Sequence, residues 1–183
     1  MSADELSYVH GTSDVPLLGN TIGEQLRASV ARFGEREALV VAHQGVRLTY
    51  RELWDATTRL GKALMARGIA RGDRVGMWSP NRFEWLVAQY ATARIGAVLV
   101  NVNPAYRAAE LEYALRQSGQ VMLLHAKGFR TTDYGEILGR VRGRCPTLAQ
   151  VFELESQWEE LHATAGETSD PALAAREASL TFD

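Results

Sequence analysis

The chain has 183 residues, with 20 Lys and Arg against 22 Asp and Glu, 46% apolar residues, 16 glycines, five prolines and one cysteine. That length allows one domain that buries about 70% of the surface its unfolded chain exposes, and a formal charge of −2 excludes the strongly basic footprint of a nucleic-acid-binding domain. Cys145 has no partner for an internal disulfide, and four scattered histidines give it no metal-ligand spacing. The start, Met1-Ser2-Ala3-Asp4-Glu5, is acidic where a secretory signal is basic, and no apolar run approaches the ~20 residues that cross a bilayer. These features predict a cytoplasmic protein without structural zinc.

Residues 1–20, with Gly11, Pro16, Gly19 and Asn20 among polar neighbours, hold no sustained period and read as an extended arm. Thr21-Ile22-Gly23-Glu24 has the spacing of a capping box, and Ile22, Leu26, Val30 and Phe33 follow at helical intervals until Gly34, which is expected to close the helix in a left-handed conformation. Ala38–His43 and Val46–Leu48 flank Gln44-Gly45 as a hairpin. Thr49-Tyr50-Arg51-Glu52 is a second capping box, with Leu53, Trp54, Thr57, Leu60, Leu64 and Met65 on one stripe behind it and Gly68 at the end.

Arg74–Trp78 is a strand stopped by Ser79-Pro80. Asn81 with Glu84 is expected to cap the next helix, whose inward residues are Phe83, Leu86, Val87, Tyr90 and Ala93, with Gly96 closing it. Ala97–Val102 is apolar without alternation until Asn101, the pattern of a strand covered on both faces. A turn at Asn103-Pro104 leads to a helix over Ala109–Gln117 that lacks a cap residue, then to a strand over Val121–His125. Asp133-Tyr134-Gly135-Glu136 opens a helix through Val141, Val151–Leu154 supplies a fourth strand, and helices follow near Gln157–His162 and from Asp170-Pro171. Leu180–Asp183 has the look of a strand beginning. Strands that alternate with helices need right-handed crossovers, so the predicted class is α/β, a mainly parallel sheet flanked by helices after an amino-terminal helix and hairpin.

In such a sheet ligands sit beyond the carboxyl ends of the strands, which directs the search to Ser79-Pro80-Asn81, Asn101–Pro104 and His125–Lys127. None has the glycine spacing of a phosphate cradle. Asn81, Asn103 and Tyr106 are the polar candidates for substrate-side loops; capping and turn formation explain the asparagines equally. His125, with Lys127 nearby, is either a proton-transfer or anion site or a strand-end residue bonded to backbone. Cys145 reads as a buried inert thiol. Trp54, Trp78, Trp85 and Trp158 are core packing or the wall of an apolar tunnel, and Arg71, Arg74, Arg140, Arg142 and Arg144 form a solvated face.

The residue strings carry more. Leu48–Leu53, Gly72-Asp73-Arg74-Val75-Gly76, Pro80–Trp85, Ala93–Val98, Asn101–Tyr106 and Glu110–Leu115 occur in the order that resembles the amino-terminal part of the AMP-forming acyl-CoA synthetases, a family that includes luciferases and the adenylation domains of peptide synthetases. Tyr90–Arg94 and Asn101–Pro104 most resemble bacterial medium- or long-chain fatty-acid CoA ligases. The resemblance implies an enzyme that activates a fatty acid with ATP and Mg²⁺ to an acyl-adenylate and transfers the acyl group to CoA. It also implies that the phosphate loop, the ribose-binding Asp and the adenylation Lys lie beyond Asp183. No catalytic, cofactor-binding or metal residue is therefore assigned, and these residues alone are expected to be inactive. The implied organisation is an arm (1–20), a helix, hairpin and helix that pack on a second sheet (21–73), and a parallel subdomain of a larger synthetase core (74–183). Apolar surface left without a partner would favour a dimer. The alternative is a stand-alone, non-catalytic binding or assembly module.

Overall fold

The computed structural model describes residues 18–182 together with Asp14. The expected arm, apart from those few positions, and Asp183 lie outside the described residues. Helix α1 (Ile22–Phe33) leads into strands β1 (Glu37–Val41) and β2 (Val46–Thr49), an antiparallel hairpin joined by a 3-10 turn and Gly45. Helix α2 (Tyr50–Ala66), β3 (Arg74–Trp78), α3 (Phe83–Ile95), β4 (Val98–Val102), α4 (Ala108–Ser118) and β5 (Met122–His125) follow. A small hairpin of β6 (Gly128–Phe129) and β7 (Thr132–Asp133), which no sequence signal announced, precedes α5 (Tyr134–Val141), β8 (Gln150–Glu153), α6 (Leu154–His162) and α7 (Asp170–Ala178). The four-stranded sheet has the order β4-β3-β5-β8 and every pairing is parallel, as the alternation of strands and helices predicts.

Both capping boxes form. Thr21 Oγ1 accepts from Glu24 N and the Glu24 carboxylate accepts from Thr21 N at 2.7 Å; Thr49 and Glu52 repeat the exchange. Each pair satisfies donors that a helix start leaves open, which contributes about 1 kcal/mol. Asp133 likewise caps α5 by accepting from Glu136 N. Ahead of α4, where the sequence offers no cap residue, the Glu110 carboxylate reaches back to accept from Arg107 N.

Register decides the two faces of the sheet. Val75, Met77, Met122, Leu124 and Phe152 meet α2, α3 and α6 in one core that also takes Leu26, Leu53, Leu60 and Leu64. Trp78, Val102 and Leu123 face α4 and α5 in a second core with Leu111, Leu115, Tyr134 and Val141. Each fully buried leucine contributes roughly 1.5–3 kcal/mol. Helices α1 and α2 thus share their core with the sheet itself.

Several sequence expectations need correction. Gly34 is not left-handed, with φ −44° and ψ −42°; a Cβ there would lie 2.9 Å from Arg51 Nη2 and 3.0 Å from Val30 O, so Arg51 would have to shift to admit one. Strand β4 is not covered on both faces: it is an edge, and Val98 is 49% exposed. In α3 the expected Val87 is buried, but Phe83, Leu86, Tyr90 and Ala93 are half-buried while Glu84, Ala88, Ala91, Thr92, Arg94 and Ile95 are covered. Apolar residues surround this helix, so periodicity offers no unique face. Leu180–Phe182 belong to no strand.

The charge that α3 buries organises the helical layer. Arg94 is 2% exposed, and its Nη1 donates to Thr57 Oγ1 (2.7 Å), Thr58 Oγ1 (2.8 Å) and Trp54 O (3.2 Å) of α2. Its Nε bonds Glu177 of α7 at 2.5 Å, and Glu177 also holds Arg27 of α1. The guanidinium lies over the Trp54 ring, 3.6 Å from the centroid. Burial pulls the Arg94 pKa below its ordinary value, with Glu177 opposing.

This packing can be probed by substitution. A Cβ at Gly76 would lie 1.7 Å from Gln120 Oε1 and 2.7 Å from Leu123 Cδ1, so Gly76→Ala should cost about 2 kcal/mol in urea unfolding, and adding Gln120→Ala should recover part of it. Arg94→Leu leaves Glu177 with Arg27 alone and removes the donor shared by Thr57, Thr58 and Trp54 O, and should cost about 3 kcal/mol; Arg94→Lys, which cannot serve both ends of the network, should not restore wild-type stability.

Candidate functional site

The carboxyl ends of the parallel strands form one rim, where Trp78 is paired in register with Val102 on one side and His125 on the other. Trp78 is fully buried; its ring stacks on Tyr134 with centroids 3.5 Å apart and planes 8° from parallel, and its Nε1 donates to Asn103 O at 3.0 Å. Tyr134 closes the same contact from α5, its hydroxyl donating to Pro104 O at 2.7 Å. Burial pushes the Tyr134 pKa up to about 12, so the phenol stays a neutral donor.

The three candidate residues take different parts. Asn103 Oδ1 accepts from Ala105 N at 2.9 Å and Asn103 O accepts from Tyr106 N at 3.0 Å, so Asn103 and Tyr106 are joined within one turn after β4. Asn81 is exposed on the neighbouring loop after β3 and hydrogen-bonds neither of them. It does not cap α3. The residue at that cap is Arg82, and the donor it leaves open, Phe83 N, is taken by Gln44 Oε1 from the hairpin turn at 2.8 Å.

Gln44 belongs to a network that sequence reading missed. Arg82 holds Glu84 with two parallel bonds of 2.7 Å and also pairs with Glu155 at the start of α6. Gln44 Nε2 donates to Glu84 at 3.0 Å, and Glu155 accepts from Lys127 N at 2.8 Å. Arg82 and Glu84 are 10% and 5% exposed. Burial opposes the Arg82 charge, yet the hydrogen bonds from both carboxylates raise its pKa above the ordinary value. The chain thereby ties the loops after β3, β5 and β8 to the hairpin. Gln44 and Glu155 lie far from Arg82 in sequence and carry no local signal; Arg94 did leave one, as the lone charge in the run from Trp85 to Val98.

His125 adopts the backbone-bonded alternative, with Nδ1 2.7 Å from Ala126 O and the ring 5% exposed. Cys145 is buried, and burial pushes its thiol pKa up, which makes it a poor nucleophile. Among the described residues no group of three or more His, Cys, Asp or Glu is placed to hold a metal ion. At the rim Arg82, Glu84 and Glu155 are paired with one another, and no chemical step is assigned to the described residues.

Burial lowers the pKa of His125 and of His162, the latter bonded through Nδ1 to Trp158 O. A base whose folded pKa lies below its unfolded value near 6.5 contributes stability that is present above that value and lost as pH falls toward the folded pKa. The urea midpoint should therefore drop from pH 7 toward pH 5, above the carboxylate range. His125→Gln should flatten the part of the slope that His125 supplies.

Comparison with known proteins agrees with this geometry. The AMP-binding enzyme family matches residues 26–180. The rat medium-chain acyl-CoA ligase ACSF2, a mitochondrial protein by name, is 44% identical over 154 residues, which are 83% of this chain and 25% of that protein. The zebrafish ACSF2 is 40% identical over 142 residues, 78% of this chain and 23% of its own. Among solved structures, the N-terminal domain of FACL13 from Mycobacterium tuberculosis is 25% identical with a TM-score of 0.67, covering 90% of this chain and 37% of that one. The long-chain-fatty-acid-CoA ligase FadD1 of Archaeoglobus fulgidus shares the fold at a TM-score of 0.74 and 23% identity, covering 90% and 33%. The chain spans about a quarter of the length of the curated relatives it matches. With that match over most of its length and a relative 44% identical across 83% of it, the chain belongs to the AMP-binding enzyme family.

Proposed function

We propose that this chain is the amino-terminal part of a fatty-acid CoA ligase, which activates a fatty acid with ATP and Mg²⁺ to acyl-AMP and passes the acyl group to CoA. The observation that carries the reading is the 44% identity to a medium-chain acyl-CoA ligase across 83% of the chain. Alone, these residues supply scaffold: the Arg82 network and the Trp78–Tyr134 stack fix the rim of the sheet on which the remaining machinery assembles. Asn81, Asn103 and Tyr106 are then loop residues on the substrate side of that rim. The outward face of the hairpin, where Val40 is exposed, meets a second sheet in the complete core, or a second copy in its absence. A cytoplasmic location belongs to the same proposal; among the described residues no helix is long and apolar enough to cross a membrane.

ATP–pyrophosphate exchange with dodecanoate tests the reading. The 183-residue chain should give no exchange above background, and measurable exchange would refute the assignment as scaffold. The reading frame past the Asp183 codon should encode a Ser/Thr/Gly-rich phosphate loop within about 20 codons; a stop there would favour the non-catalytic module.

A further inference from the structure

At the end of the sheet opposite the rim, a groove of about 420 Å³ runs between α1, α3, the start of β4 and the segment after α7. Its size is within the range of small-molecule sites. Ile22, Ala93, Leu99, Leu180 and Phe182 supply the apolar part of the lining, Asn20, Thr21, Gln89, Thr92 and Thr181 the uncharged polar part, and Arg71 its charge. Among the described residues of the lining Arg71 is the one that carries a charge. The Arg71 stem packs on Gly96, where a Cβ would lie 3.2 Å from its Cγ, and its Nη1 donates to Ser179 O at 3.3 Å. Among the described residues it forms no ion pair with a carboxylate, whereas Arg27, Arg47, Arg51, Arg59, Arg82 and Arg94 all do.

A groove with a partly apolar lining and one exposed arginine, which forms no ion pair among the described residues, is complementary to an aliphatic chain ended by one anion. We propose that the groove binds a medium- or long-chain aliphatic carboxylate, with the carboxylate on Arg71 and the chain along Leu99 and Phe182. The choice of ligand class rests on the acyl-ligase reading; the place does not, since the groove is remote from the carboxyl ends of the strands. The site holds the fatty acid on the protein surface and takes no part in its activation.

Calorimetric titration of the 183-residue chain with dodecanoate below its micellar concentration, without ATP, tests this apart from any catalytic assay. Saturable one-to-one binding is expected. From hexanoate to decanoate, affinity should rise about fourfold per methylene until the groove is filled. Arg71→Gln should weaken dodecanoate about fivefold and leave dodecanol unaffected, Ala93→Phe should weaken both at least tenfold by filling the groove, and Tyr113→Ser, an exposed α4 change outside it, should alter neither. Circular dichroism melts establish that each variant folds; should Ala93→Phe fail to fold, Phe182→Ser replaces it with the same expectation. The proposal is overturned by an absence of saturable binding, by equal affinity for dodecanol and dodecanoate, or by binding that the groove variants do not change. Binding to phosphatidylcholine vesicles but not to free dodecanoate overturns it, as does light scattering that shows a dimer with the groove closed to ligand. If binding fails while the downstream reading frame carries the phosphate loop, the groove assignment falls and the ligase reading stands; the converse result separates them in the other direction.

Discussion

A guanidinium taken out of water must have its charge answered and its donors used, and Arg94 meets both demands by drawing four helices together. Three of its bonds go to α2, one to α7, and α7 passes the contact to α1 through the carboxylate that Arg94 and Arg27 share. Replacing such a site with apolar side chains is often neutral in energy, but removing one partner is not. The four helices are therefore fixed in one mutual arrangement by a constraint that packing of alanines and leucines alone would leave loose. Gly23 shows how close the fit is, since a Cβ there would lie 3.1 Å from Arg94 Cγ.

The rim of the sheet is held by a different device with the same logic. Arg82, like Arg94, spends its guanidinium on carboxylates, and one of them comes from beyond another strand. Gln44 extends the network into the hairpin and takes over the cap that α3 lacks. Because Glu155 also accepts from the backbone of Lys127, a shift of any one strand-end loop breaks a hydrogen bond in another. The Trp78–Tyr134 stack stiffens the β4 side, where an edge strand has no further neighbour to restrain its loop.

Legibility in the sequence follows the range of the interaction. Thr21–Glu24, Thr49–Glu52 and Asp133–Glu136 are readable because both partners lie within one turn. The parallel α/β class is readable because crossovers dictate it. The cap of α3 is not, and Asn81 is a false lead there, because the acceptor, Gln44, lies 39 residues before Phe83. The burial of β4 is overestimated from sequence because an apolar run reports composition, whereas position in the sheet depends on the order in which crossovers lay strands down. At the candidate site, the strand-end loops and the backbone-bonded state of His125 are legible, and the ion network joining those loops is not. The family is legible through the order of its short strings, a signal independent of any of these contacts.

The two ends of the sheet stand in contrast, and the contrast traces back to Arg94. At the rim, Arg82 answers its carboxylates and the polar groups are spent on one another. At the opposite end, α7 is held where it is by Glu177, by Lys62 on Asp170 and by Arg176 on Ile95 O. That anchoring carries Leu180 against Gly96, where a Cβ would lie 2.6 Å from Leu180 Cδ2, and brings Phe182 beside Gly19. One wall of the groove therefore exists because a buried arginine in the helical layer fixes the helix that precedes it. The same anchoring delivers the Ser179 carbonyl to Arg71, which forms no ion pair with a carboxylate among the described residues.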